Sequence, residues 1–193
     1  MTRSPSSRVP TPDEVIVDTR TWIERAVIGL NLCPFAKAVY VKEQVRYVVS
    51  DATRGDALLE DLTRELHTLS ATAPEEVDTT LLIHPGALTA FLDYNDFLAV
   101  GDAAIVALGL KGTIQLASFH PAYQFAGTEP ADVTNNTNRS PYPMLHLLRE
   151  ASVDRAVAAF PDAGTIYERN METMRRLGVE GWRGLTTSGR GGK

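Results

Sequence analysis

The chain of 193 residues is 44% hydrophobic and 22% charged, which excludes disorder throughout and suits one domain able to bury its own core. Its lone cysteine, Cys33, excludes an internal disulfide. Apolar runs such as AAIVALGL are too short for a bilayer and the leading MTRSPSSRVPTP lacks a signal-peptide core, so a cytoplasmic protein with no membrane partner is expected.

The formal charge of −5 includes Arg3, Arg8, Arg183, Arg190 and Lys193, which sit in two ends without acids. The body between them is more acidic still and repels a nucleic-acid backbone, so no nucleic-acid partner is expected. Residues 1–10 and 183–193 read as disordered tails around a single domain, 11–182. Thr11-Pro12-Asp13-Glu14 is a capping box. It opens a helix in which Val15, Trp22, Ile23, Ala26, Val27 and Leu30 recur at helical spacing, ending near Asn31. Pro34 suits the first position of a short second helix, with Cys33 as its N-cap.

QVRYVVS (44–50) is a β-branched, aromatic strand. A helix follows with Leu58, Leu59, Leu62, Leu66 and Leu69 on one face, then the strand DTTLLI (78–83) ending at His84-Pro85. A helical region over 87–108 is expected to kink near Asp93, Asn95 and Asp96 and to close at Gly109. The third strand, TIQLASF (113–119), ends at His120-Pro121. Strands joined by helices of this length are usually parallel. The pattern therefore predicts an α/β fold: a single layered domain with a small, mostly parallel three-stranded sheet, flanking helices and a C-terminal helical segment. An α+β sheet with an antiparallel strand is the alternative. Residues 121–141 have no apolar period, and loops that long are usually functional or disordered. Short helices are expected over 144–150, 153–160 and 165–177, with Gly178 as the last cap.

The candidate chemistry gathers at proline-marked ends. Cys33, His84 and His120 each precede a proline, which biases them to extended backbone. If the strands run the same way, both histidines lie at the carboxyl edge of the sheet, where α/β proteins bind ligands. His120 is then a candidate general acid/base, with His84 beside it, and Cys33 at a helix start a candidate nucleophile of lowered pKa. The bland alternatives are strand-capping histidines and an inert buried thiol. The run TNNTNRSPYPMLHLLRE (134–150) offers Asn135, Asn138 and Arg139 as donors for an anion ahead of a helix N-terminus. Tyr123 in the loop and His146 and Arg149 in the expected helix are further substrate-binding candidates. The alternative there is an ordinary Asx-turn loop. His67 lies on a polar face and reads as exposed.

No G-x-G-x-x-G or Walker A string is present, so no nucleotide cofactor is expected. Cys33, His84 and His120 could hold Zn or Fe, though without zinc-motif spacing. The strings GLNLCPFAK, TTLLIHP, FLDYNDFL, SFHPAYQFAGTEPADVTNNTNRSPYPMLHLLREASV and ERNMETMRRLG resemble an uncharacterised bacterial family, the domain of unknown function number 1415, over about residues 11–178. The resemblance implies a single domain in a cytoplasmic bacterial protein and carries no mechanism. Three readings stand: a hydrolytic or group-transfer enzyme acting on a small anionic molecule, a Zn or Fe protein, and a non-catalytic module binding a metabolite or partner.

Overall fold

In the computed structural model, which describes residues 10–159 and 163–186, the capping box forms as expected. Glu14 N–H donates to Thr11 Oγ1 at 3.3 Å and Thr11 N–H donates to Glu14 Oε2 at 2.8 Å. Pro12 opens helix α1 (Pro12–Trp22), which widens into a π-helical segment, Ile23–Ile28. Asn31 then turns the chain at φ 53°. After the short helix α2 (Ala36–Val41) come strand β1 (Val45–Val49), helix α3 (Gly55–Ala71) and strand β2 (Thr79–Ile83). Helix α4 (Phe91–Ala107) leads to strand β3 (Ile114–Phe119), and a 3-10 segment, Val133–Asn138, leads to strand β4 (Met144–Arg149). Helices α5 (Glu150–Ala158) and α6 (Ile166–Thr186) complete the described chain.

Residues 144–149 form a strand instead of the expected helix. MLHLLR is short enough to satisfy both periods. The tertiary setting decides, because β4 lies between two strands that satisfy its backbone from both sides. The sheet order is β1-β2-β4-β3, with β1 and β2 parallel and β4 antiparallel to both neighbours. The expected mostly parallel three-stranded sheet is thus replaced by four strands among the described residues, with the antiparallel member of the alternative reading at the centre. Since β2 and β3 both run against β4, they run the same way as each other. Their carboxyl ends share one edge.

The sheet is covered on both faces. Leu82, Leu145, Leu147 and Ile114 point to α3 and α4, where Leu58, Leu62, Leu66 and Leu69 are fully buried. Leu81, Ile83 and Met144 point the other way, against Val15, Trp22 and Ala26 of the N-terminal helix, with Trp182 of α6 packed beside them. Full burial of each leucine is worth roughly 1.5–3 kcal/mol.

Helix α4 runs unbroken through the expected kink. Asp93, Asn95 and Asp96 are exposed and flank the buried Tyr94 and Phe97, so they mark the solvent face of one helix. Gly109 closes it at φ 70° as expected. Gly178 interrupts α6 at φ 68° and ψ 178°, but the helix resumes to Thr186 and so takes in residues 183–186 of the expected tail. Residues 1–9, 160–162 and 187–193, which include parts of both expected tails and the end of the helix expected over 153–160, lie outside the described residues.

Candidate anion site at the carboxyl edge

Ile83 and Phe119 both pair with Met144 from opposite sides, so His84 and His120 leave the sheet at the same level, one strand apart. Strand alternation turns both rings to the α4 face, and both are buried there. Tyr94 of α4 lies between them, its ring centroid 5.9 Å from His84 and 5.1 Å from His120. The Tyr94 hydroxyl donates to Met144 O (2.8 Å) and accepts from Phe119 N–H (3.0 Å). It is therefore inserted into the β3–β4 ladder between two groups that face each other in register.

The ring nitrogens of the histidines are spent largely on one loop. His84 Nδ1 contacts Ala87 O at 2.9 Å, so the proton sits on Nδ1. His120 Nδ1 accepts from Ala122 N–H at 3.0 Å, so Nε2 carries its proton and donates to Leu88 O at 3.2 Å. The two side chains thus clamp successive carbonyls of the segment that delivers α4. Leu88 sits there at φ 50°, a conformation that leucine adopts only under constraint. Burial pushes the His84 imidazole down to about 4, partly offset by the Ala87 carbonyl, and lowers His120 as well. Among the described residues His84 Nε2 is buried without a hydrogen-bond partner, while His120 has both nitrogens bonded. This geometry fits the strand-capping alternative for His120 better than a free acid/base.

The donor-rich loop is mostly tied to itself. Asn135 is fully buried: its Oδ1 accepts from Phe125 N–H (2.9 Å) and Thr128 Oγ1 (2.8 Å), and its Nδ2 donates to Glu129 O (2.9 Å). Asn138 Nδ2 donates to Ser118 O (3.2 Å), while its carbonyl accepts from His120 N–H. Tyr123 packs its ring on Phe91 and Phe125 and offers its carbonyl to Arg139. Arg139 is the exception. Its Nε donates to Tyr123 O (3.0 Å), Nη2 to Pro130 O (2.8 Å) and Nη1 to Asn136 Oδ1 (3.4 Å). Among the described residues none of these bonds goes to a carboxylate.

Arg139 lines a cavity of about 480 Å³ at this edge. Asn136, Ser140 and Arg183 add polar groups to its wall, while Val133, Val179 and Trp182 add apolar surface. Pro121, immediately after His120, forms part of the rim. Trp182 also packs with the core on the N-terminal-helix side of the sheet, whereas the histidine rings face α4. The cavity and the imidazoles therefore occupy different sides of one edge. Of the substrate-binding residues expected from sequence, only Arg139 lines the cavity. Asn136 and Ser140 belong to the same polar run, and Val179, Trp182 and Arg183 carry no local motif that marks them.

The remaining candidates sit elsewhere. His146 is on β4, not a helix. Thr79 Oγ1 donates to Leu147 O (2.6 Å) and accepts from His146 Nε2 (2.7 Å), and burial pushes the imidazole down to about 4. Arg149 donates to Leu69 O (2.7 Å), Thr72 O (2.6 Å) and Val77 O (3.0 Å), closing the C-terminal end of α3 at the opposite edge of the sheet. The helix start expected after Pro143 is replaced by β4.

Cys33 lies ahead of a turn, not at the N-cap of α2, which is Phe35. Burial raises its thiol pKa more than the Phe35 and Ala36 N–H groups lower it, reversing the expected activation. In the native protein Cys33 is expected to react with a disulfide reagent more slowly than a free thiol at mildly alkaline pH, reaching the free rate in urea. A native rate equal to the free rate would contradict this assignment. Among the described residues no three His, Cys, Asp or Glu side chains gather as a metal site.

The architecture and this edge define a mixed α/β protein whose open four-stranded sheet carries a polar loop and a half-buried arginine at its carboxyl end. The chain belongs to the family described as protein of unknown function (DUF1415), whose model matches residues 14–184. No curated protein and no solved structure matches it. No described helix is long and apolar enough to cross a membrane.

Proposed function

We propose that this chain binds a small organic anion in the cavity bounded by the 121–141 loop and the end of α6. The observation that carries this reading is Arg139. Its half-buried guanidinium is held by carbonyl and amide oxygens, with no carboxylate among those partners. A cation kept partly out of water without a counter-charge gains most from an anionic ligand. Among the described residues three of its five N–H groups are committed, which leaves two for a charge-assisted fork. Among the described residues the cavity wall holds two arginines and no acid, in a chain of formal charge −5. Its volume is within the usual range for small-molecule sites. The binding reading is preferred to catalysis by His120 or Cys33, because neither lines this cavity.

The test is a thermal-shift and calorimetric screen of carboxylates and phosphomonoesters, each paired with its uncharged amide or alcohol. Anions should raise the melting temperature at matched ionic strength, and their neutral partners should not. Arg139→Gln should weaken binding by about tenfold or more, the scale of one charge-assisted hydrogen bond. If that variant unfolds, the charged-against-neutral comparison on the unaltered chain answers the same question. Equal binding of charged and neutral partners, or binding by neither, overturns the reading.

A further inference from the structure

The reading of the cavity as an anion site leaves open what kind of anion it takes, and the remaining wall bears on that. Arg183 is already paired, its Nη1 2.7 Å from Glu180 Oε1. The pair is neutral overall, so Arg139 supplies the cavity's uncompensated positive charge among these groups. One guanidinium with two N–H groups to spare matches one carboxylate in number and geometry. The same wall carries apolar side chains: Val133 from the 3-10 segment, with Val179 and Trp182 from α6. A second charge on the ligand would be desolvated against these side chains without a partner. A flat apolar body would instead cover them, gaining roughly 25 cal/mol for each Å² removed from water.

We propose that the ligand, given the anion site on which this inference rests, is an amphipathic monocarboxylic acid. Its carboxylate sits on Arg139 and its aromatic or branched apolar body lies against Trp182. Small hydrophilic dianions and inorganic phosphate are the classes this wall disfavours.

The chain contains two tryptophans, Trp22 and Trp182. Trp22 is buried against Phe119 with its Nε1 unbonded among the described residues, so Trp22→Phe leaves Trp182 as the only indole and removes no hydrogen bond. This variant is titrated with phenylacetate, phenylacetamide, succinate and inorganic phosphate while Trp182 emission is followed. Calorimetry on the unaltered chain provides the same comparison if the variant does not fold. Phenylacetate is expected to give a saturable change, with each of the other three at least tenfold weaker. Succinate or phosphate binding as tightly as phenylacetate overturns the amphipathic assignment and leaves the anion site standing. Phenylacetamide matching phenylacetate, or no saturable change with any of the four, overturns both.

Discussion

Tyr94→Phe is expected to lower the stability of the fold by about 3 kcal/mol, although it removes a single oxygen. The hydroxyl serves two buried backbone groups at once, Met144 O and Phe119 N–H. Leaving a buried donor or acceptor unpaired costs roughly 1–3 kcal/mol each. The two groups face one another across β3 and β4, so a direct bond could form only if the strand ends closed up. The phenyl ring that remains, still between His84 and His120, holds them apart. Because the ring stacking is kept, the substitution isolates the hydroxyl. The urea midpoint should fall with the slope of the transition unchanged. A loss below about 1 kcal/mol would mean that the ladder closes without the hydroxyl, and the insertion would not be what fixes this edge.

Tyr94 also shows why some of this edge was legible in the sequence and some was not. The strand-His-Pro endings marked two strand termini, and their matching exits placed both histidines at one edge, as found. That inference needed only the direction of the strands, and direction survived the insertion of β4 between them. What the residues could not reveal was β4 itself. MLHLLR has neither the length nor the flanking turn chemistry to separate strand from helix, and only the vacant position between β2 and β3 resolves it. The roles of individual polar groups were equally hidden. Asn135 and Arg139 stand four apart in one polar run, yet Asn135 is consumed by Phe125, Thr128 and Glu129 while Arg139 keeps spare donors at a cavity wall. Composition reports the stock of hydrogen-bonding groups, and only the fold decides which of them are already used. Trp182 and Arg183 reach the cavity because α6 resumes after Gly178, a long-range placement that no local pattern carries.

Acidification from pH 7 to pH 5 is expected to remove about 2 kcal/mol of stability through His84 alone. Burial holds its imidazole at about 4 in the folded chain, against an ordinary value of 6.5. Between those values the unfolded chain binds a proton that the folded chain refuses, so unfolding is driven by proton uptake. The stabilising difference is present in full above the unfolded value and is lost as the pH falls through the window towards 4, to a total of roughly 3 kcal/mol. His146, also held at about 4 by burial, acts in the same direction and must be separated from it. His84→Asn retains a side-chain donor near the Nδ1 position but does not titrate, and His146→Gln does the same near Nε2. Each should flatten the dependence of the urea midpoint on pH between 6.5 and 5, whatever it does to stability at pH 7. An unchanged slope in His84→Asn would show that this ring is not the group taking up the proton. Arginine does not titrate anywhere near this window. The proposed hold of Arg139 on a carboxylate should therefore persist at pH 5 for as long as the edge stays folded. Ligand affinity and fold stability should part company there, and measuring both in His84→Asn separates the clamp from the anion site.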